Sequence, residues 1–120
     1  MSKKTIVIGA SANPERYSYL AIEKLNSHQH EVVAISKKNG HAGDVEIVSG
    51  MPSITGVDTI TIYLNAQNQK EYYDYILSLH PKRIIFNPGA ENNELYQLAK
   101  VNGIEPLDAC TLVLLSTQQY

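Results

Sequence analysis

Short apolar runs alternate along this chain with longer stretches whose apolar residues recur at helical spacing. The runs cover residues 5–8, 31–35, 59–64, 83–86 and 104–107, and most are rich in β-branched residues. Alternation of this kind is typical of βαβ units, in which helices cover both faces of a parallel sheet. The sequence therefore predicts an α/β fold with an open, parallel, five-stranded sheet. Pro106 donates no ladder hydrogen bond and places the last strand at an edge.

Three helices are expected between these strands. The first covers residues 14–26, with Tyr17, Leu20, Ala21 and Leu25 along one side, and the others cover residues 67–79 and 91–102. Gly103 follows the last of them, where a helix C-terminus favours a left-handed residue. Residues 37–57 carry several glycines and predict a long irregular crossover that has room for a short helix or strand.

Composition narrows the class of protein. A chain of 120 residues with 43% hydrophobic residues predicts one domain over residues 1–120. No apolar run approaches the roughly 20 residues of a membrane span, and the beginning of the chain lacks a signal-peptide pattern. We therefore expect a cytoplasmic protein that is not inserted in a membrane.

The formal net charge of -2 argues against nucleic acid as a partner. A lone Cys110 excludes an internal disulfide and a cysteine-based zinc site.

The loop after the first predicted strand has the features of an anion site. In it, Gly9 suits a tight turn, Ser11 offers a hydroxyl, Asn13 suits a helix N-cap, and Pro14 suits the first helical position. The free N–H groups and positive dipole end of that helix favour phosphate. Arg16, a cation in the first turn, is unfavourable to the dipole, and a nearby anion would offset this. A plain helix cap with a solvated arginine is the alternative. The loop lacks the further glycines of a G-x-G-x-x-G dinucleotide motif.

The loop after the second strand carries Lys37 and Lys38. NAD sites place an acidic residue near this point to hold the ribose hydroxyls, whereas lysines favour a phosphorylated ribose. The sequence therefore disfavours NAD and leaves NADP and coenzyme A. Solvated lysines in a loop remain the alternative.

The loops after the third and fourth strands are polar. Asn65 suits either a helix cap or a ligand contact, and the turn at Asn87-Pro88-Gly89 allows close approach of its backbone to a ligand. Asn92 or Asn93 can cap the next helix. The two glutamates nearby, Glu91 and Glu94, fit the helix dipole better than catalysis.

Cys110 and the four histidines give little support to catalysis. Cys110 follows the fifth strand near the same crevice, and a buried apolar cysteine is its expected role, because no histidine is placed to activate it. The histidines, at positions 28, 30, 41 and 80, have no metal-ligand spacing.

The segments G-A-S-x-N-P-x-R at residues 9–16 and N-P-G-A-E-N-x-E at residues 87–94, with a cysteine after the last strand, resemble the CoA-binding domain family. These are small Rossmann-like proteins similar to the N-terminal domain of the succinyl-CoA synthetase α subunit, and the resemblance covers nearly the whole chain. It implies that the first loop and the segment after the second strand hold the phosphates and the adenosine end. The loop after the fourth strand would lie by the pantetheine arm. The family commonly has a V-N-P segment after the second strand, where this chain has Ile35-Ser36-Lys37.

The resemblance and the loop positions together give the candidate ligand-binding residues: Gly9, Ala10, Ser11, Ala12, Asn13, Arg16, Ser36, Lys37, Lys38, Leu64, Asn65, Asn87, Pro88 and Gly89. Because the chain has no ATP-grasp portion, the resemblance implies binding of coenzyme A or an acyl-CoA without ligation. The alternatives are an NADP-binding component of an oxidoreductase and a pure interaction module with an empty crevice. A protein partner is compatible with each reading.

Overall fold

The computed structural model describes residues 2–120, which form one seven-stranded sheet. The strand order is β3-β4-β2-β1-β5-β6-β7, and every pairing is parallel except that of β3 with β4. The strands are β1 (Thr5–Ile8), β2 (Val32–Ser36), β3 (Gly40–Ala42), β4 (Val45–Ser49), β5 (Thr59–Ile62), β6 (Arg83–Phe86) and β7 (Glu105–Asp108). As Pro106 predicts, β7 is an edge strand.

The prediction of five strands was wrong, because the segment 37–57 contains two more. A tight turn at Gly43, which has φ +60°, folds β3 back onto β4, and β4 pairs in parallel with β2. Along β4 only Ile47 is buried, while Glu46 and Ser49 are exposed, so this strand has no continuous apolar run. The glycines of this segment belong largely to its turns, and they make the sequence look irregular.

The chain fills the sheet outward from β1 in two directions. It first builds β2 and the β3–β4 hairpin on one side of β1, and then crosses over to build β5, β6 and β7 on the other. The connections leave the carboxyl end of β1 and its neighbours in opposite directions, which opens a crevice there. The loops after β1, β2, β5 and β6 meet at this edge of the sheet.

Helices lie on both faces, as predicted. They are α1 (Tyr17–Ser27), α2 (Ala66–Gln69), α3 (Tyr73–Ser78), α4 (Asn93–Val101) and α5 (Thr111–Ser116), and a 3-10 turn at Lys70–Tyr72 joins α2 to α3. One buried cluster, which includes Ile60, Ile84 and Leu95, lies between the sheet and helices α3 and α4. The other, which includes Val7, Ile22 and Leu115, lies between the sheet and helices α1 and α5. Within residues 2–120 no helix is long and apolar enough to span a membrane.

Three helical segments depart from the prediction. The single helix predicted over residues 67–79 is divided into α2, the 3-10 turn and α3. Helix α1 begins three residues later than expected and buries Ala21, Ile22 and Leu25, while Tyr17 and Leu20 are exposed. Helix α5 was not predicted, because its six residues are too few to show a helical period. Gly103 has the expected positive φ after α4.

Candidate functional site

The loop after β1 is held tightly against its neighbours. Gly9 has φ +90°, and a Cβ at this position would lie 3.1 Å from the side chain of Leu64 and from the carbonyl carbon of Tyr63. The N–H groups of Gly9 and Ala10 both donate to the carbonyl oxygen of Ile35, at 3.1 and 3.0 Å. These two amides are therefore engaged by β2, and the buried Ala10 serves the core.

Asn13 shapes a turn before α1. Its carbonyl oxygen accepts from the N–H of Arg16 at 3.0 Å, and its side-chain oxygen accepts from the N–H of Glu15, also at 3.0 Å. Pro14 occupies the second position of this turn, where its fixed φ is favourable. The prediction that Asn13 caps the helix and Pro14 begins it was therefore wrong.

The N-terminus of α1 has no side-chain cap. Arg16 is the N-cap residue, and no side chain accepts a hydrogen bond from the first turn. The first turn also contains no acidic residue. Uncapped N–H groups at a positive dipole end, next to a guanidinium group, favour an anion.

Two pockets open on either side of Gly9. The arginine pocket has a volume of about 350 Å³ and is lined by Gly9, Ser11, Arg16, Tyr17, Ser18, Tyr63 and Pro88. The lysine pocket has a volume of about 300 Å³ and is lined by Gly9, Ser36, Lys37, Lys38, Leu64, Asn68 and Tyr72. Because both include Gly9, one extended ligand can occupy both of them.

The two lysines of the lysine pocket differ in their surroundings. The ammonium group of Lys37 lies 2.9 Å from a carboxylate oxygen of Glu71, and this hydrogen bond raises the pKa of Lys37. Lys38 is exposed and forms no ion pair within residues 2–120. Lys38 is therefore the cation that a ligand can engage without displacing a carboxylate.

The model of a family described as "CoA binding domain" matches residues 3–116. The chain belongs to this CoA-binding domain family. No curated protein matches it. The chain is 50% identical to an uncharacterised protein of known crystal structure, with a TM-score of 0.97, covering 100% of this chain and 99% of the other.

More distant structures share the fold alone. A hypothetical protein from Pyrococcus horikoshii OT3 is 19% identical, with a TM-score of 0.83, over 93% of this chain and 80% of the other. A putative oxidoreductase from Bacteroides fragilis is 16% identical, with a TM-score of 0.60, over 91% of this chain but only 35% of the other. The oxidoreductase likeness is therefore partial and carries no activity over to this CoA-binding domain.

In this member of the CoA-binding domain family, the Asn87 side chain is committed to the fold. Its Nδ2 donates to the Thr61 hydroxyl at 2.6 Å and to the Ile62 carbonyl at 2.9 Å, and its Oδ1 accepts from the N–H of Thr111 at 2.9 Å. Asn87 is buried and joins the ends of β5 and β6 to the beginning of α5. Asn87 lines a third pocket, described below, but its polar atoms are occupied.

A second buried network holds the loops after β5 and β6. Gln69 donates to the carbonyl oxygens of Leu64 and Ala90 at 2.8 and 2.7 Å, and it accepts from Asn92 at 2.8 Å. Asn92 also caps α4, as predicted. Asn65 caps α2 through the N–H of Asn68, which is one of its two predicted roles.

The structure brings most of the predicted site residues of this CoA-binding domain together at the crevice. The residues that line neither the arginine nor the lysine pocket are Ala10, Ala12, Asn13, Asn65, Asn87 and Gly89. Residues that the sequence did not single out as ligand contacts are Tyr17, Ser18, Tyr63, Asn68 and Tyr72. Tyr63 directly follows β5, so its position at the end of a buried strand was a usable signal.

Cys110 lines a third pocket at the same edge of this CoA-binding domain, with a volume of about 370 Å³. This apolar pocket is lined by Tyr17, Tyr63, Asn87, Pro88, Cys110, Leu112 and Val113. Cys110 is half-buried, and none of the three pockets is lined by a histidine of the described chain. Within residues 2–120 no group of three or more His, Cys, Asp or Glu side chains could hold a metal ion.

Proposed function

We propose that this protein binds coenzyme A in the crevice at the carboxyl edge of its sheet, without a catalytic activity of its own. The observation that carries the proposal is the meeting of the arginine and lysine pockets at Gly9. Cationic side chains and an uncapped helix N-terminus lie on the two sides of one loop. This spacing suits a ligand with two separate phosphate groups, and coenzyme A carries a pyrophosphate and a ribose 3′-phosphate.

Three parts of the ligand have chemically suitable partners. The pyrophosphate is assigned to Arg16, the Ser11 hydroxyl and the first turn of α1. The ribose phosphate is assigned to Lys38, which has no internal ion pair to break. The adenine ring is assigned to the lysine pocket, where Leu64 and Tyr72 supply apolar surface.

The side chains that line the crevice favour binding over catalysis. Cys110 lines the apolar pocket, and no described histidine lines that pocket to accept the thiol proton. A free thiol suits a reducing compartment such as the cytoplasm. A carrier, a sensor and a subunit of a larger complex all fit this function.

A thermal-shift titration with CoA, dephospho-CoA, NADPH and NADH tests the proposal. A ligand at about 100 times its Kd stabilises the native state by about 2.7 kcal/mol, which raises the Tm of a domain of this size by several degrees. We expect a shift with CoA that weakens with dephospho-CoA, which lacks the 3′-phosphate. A response to NADPH but not to CoA would favour the oxidoreductase alternative, and silence with all four would favour an interaction module.

Variants of the two pockets locate the phosphates. We expect Arg16→Gln to weaken CoA and dephospho-CoA equally, whereas Lys38→Gln should weaken CoA alone, by about two- to fivefold in Kd for a solvent-exposed ion pair. Lys37→Gln should have a smaller effect, because Lys37 already pairs with Glu71. Lys82→Gln is the matched control, since Lys82 is exposed just before β6 at the opposite edge of the sheet.

A further inference from the structure

The apolar pocket lies directly beside the arginine pocket. The two pockets share Tyr17, Tyr63 and Pro88. The apolar pocket is therefore within reach of a ligand that has its phosphates by Arg16. The far wall of that pocket is the first turn of α5, where Leu112 and Val113 follow Cys110.

The lining of the apolar pocket suits hydrocarbon better than amide groups. The Asn87 side chain already makes three hydrogen bonds within the fold. The Tyr63 hydroxyl is buried beside the Thr61 and Thr111 hydroxyls, which bond to each other at 2.8 Å. Burial raises the pKa of Tyr63, so this group stays neutral. Tyr63 therefore lines the pocket as an uncharged side chain.

The two amide groups of the pantetheine arm would lose hydrogen bonds with water in such a pocket, which costs free energy when no partner replaces them. The arginine pocket offers a polar partner for them in Ser18, beside the Ser11 hydroxyl that is assigned to the pyrophosphate. An alkyl chain has no such requirement. An alkyl chain in the apolar pocket would shield Tyr17 and Val113 from water, and these side chains are now 72% and 56% exposed.

We propose that the physiological ligand is an acyl-CoA with a short or medium acyl chain, and that the chain lies in the apolar pocket against Leu112 and Val113. This inference rests on the proposed function, because it takes the CoA portion to lie in the arginine and lysine pockets. The volume of about 370 Å³ lies at the low end of the range for small-molecule sites, which limits the chain length.

Calorimetric titration with CoA, acetyl-CoA, butyryl-CoA, hexanoyl-CoA and octanoyl-CoA tests the inference. Each methylene buried in an apolar site tightens binding by about two- to fourfold, so Kd should fall stepwise with chain length and level off once the pocket is full. Val113→Gln should abolish most of this gain and leave the Kd of free CoA unchanged. Leu112→Gln is a second variant at the same wall. Val101→Gln is the matched control, because Val101 is an exposed helical valine on α4, which covers the other face of the sheet.

The outcomes separate this inference from the proposal beneath it. Equal binding of CoA and every acyl-CoA would overturn the acyl pocket and leave CoA binding intact. Weaker binding of acyl-CoAs with longer chains would have the same meaning. So would a fall in Kd with chain length that persists in both Val113→Gln and Leu112→Gln. Failure of every member of the series, free CoA included, would overturn both.

Discussion

Asn87 shows that a residue in a family motif can serve the fold rather than the ligand. Its side chain ties the ends of β5 and β6 to the N-terminus of α5, at the edge of the sheet where the ligand is proposed to bind. The motif places Asn87 beside Pro88, which does line the crevice. Position at a strand end therefore identifies a loop at the crevice but does not say which of its side chains face outward.

Replacement of this residue tests the assignment. We expect Asn87→Ala to lower the free energy of unfolding by about 2–3 kcal/mol, because it leaves the buried Thr111 N–H and Ile62 carbonyl without these partners. Urea denaturation measures this, with Asn102→Ala as the control. Asn102 is exposed and its side chain bonds only its own helix end, so this change should stay within about 0.5 kcal/mol. An Asn87→Ala protein of unchanged stability that binds CoA poorly would make Asn87 a ligand contact instead.

At the scale of elements, the strands were predictable where both faces of the sheet are buried. The segments 5–8 and 83–86 coincide with β1 and β6, because continuous apolar residues mark a buried parallel strand. The hairpin of β3 and β4 lies at the margin of the sheet, where half-exposed residues such as Val45 weaken that signal. Helix α1 begins late because the Asn13 turn holds the chain out of helical geometry as far as Arg16, a local competition that apolar spacing does not reveal.

The candidate site was predicted at the level of loops and only partly at the level of residues. The loops after β1 and β2 carry the arginine and the lysines that the sequence singled out. The contributions of Tyr17 and Tyr72 depend on how α1 and the 3-10 turn pack against the strand ends. That packing brings together residues that are distant in sequence, and rules based on residue spacing do not predict it. For the same reason, the sequence did not predict that α5 forms a wall of the apolar pocket beside Cys110.

The junction of β1 with the loop before α1 gives a second prediction. Gly9→Ala should destabilise the protein by about 1–3 kcal/mol, because it forces an L side chain into φ +90° and against Leu64 and Tyr63 at 3.1 Å. Gly103→Ala is the matched control, since Gly103 has φ +74° but nothing within 4 Å of the added Cβ. We expect Gly9→Ala to cost more in urea denaturation. Equal costs would mean that Leu64 moves aside freely.

At the scale of the whole molecule, the two edges of the sheet have different tasks. The carboxyl edge carries the three pockets, whereas the opposite edge carries a cluster formed by Lys3, His30, Arg83 and Tyr120. The Tyr120 ring lies 4.9 Å from the His30 ring and 4.4 Å from the Arg83 guanidinium, and the Tyr120 hydroxyl bonds to Thr5 at 2.5 Å. This cluster contacts residues at the beginnings of β1 and β6, so it joins distant parts of the chain at the edge away from the three pockets.

This cluster makes stability depend on pH. The Nδ1 of His30 accepts from the N–H of Lys3 at 2.9 Å, which requires the neutral ring. Burial, followed by the positive charges of His28, Lys3 and Arg83, lowers the pKa of His30 below its ordinary value of about 6.5. The unfolded chain therefore takes up a proton at a higher pH than the folded one. The stabilisation from the neutral ring is complete above about pH 6.5 and is lost as the pH falls through the folded-state pKa.

We expect the free energy of unfolding to fall between pH 7.5 and pH 5, and His30→Asn to flatten part of that slope, because an amide oxygen can accept from Lys3 but does not titrate. The difference should stay below about 1 kcal/mol, since the ring is partly exposed and its charges are screened. Urea denaturation across this range measures it, with His41→Asn on the exposed face of β3 as the control. A slope that is the same in wild type and His30→Asn would mean that His30 is protonated as easily in the folded protein as in the unfolded chain. The charges around Tyr120 would then have no part in the acid sensitivity of the fold.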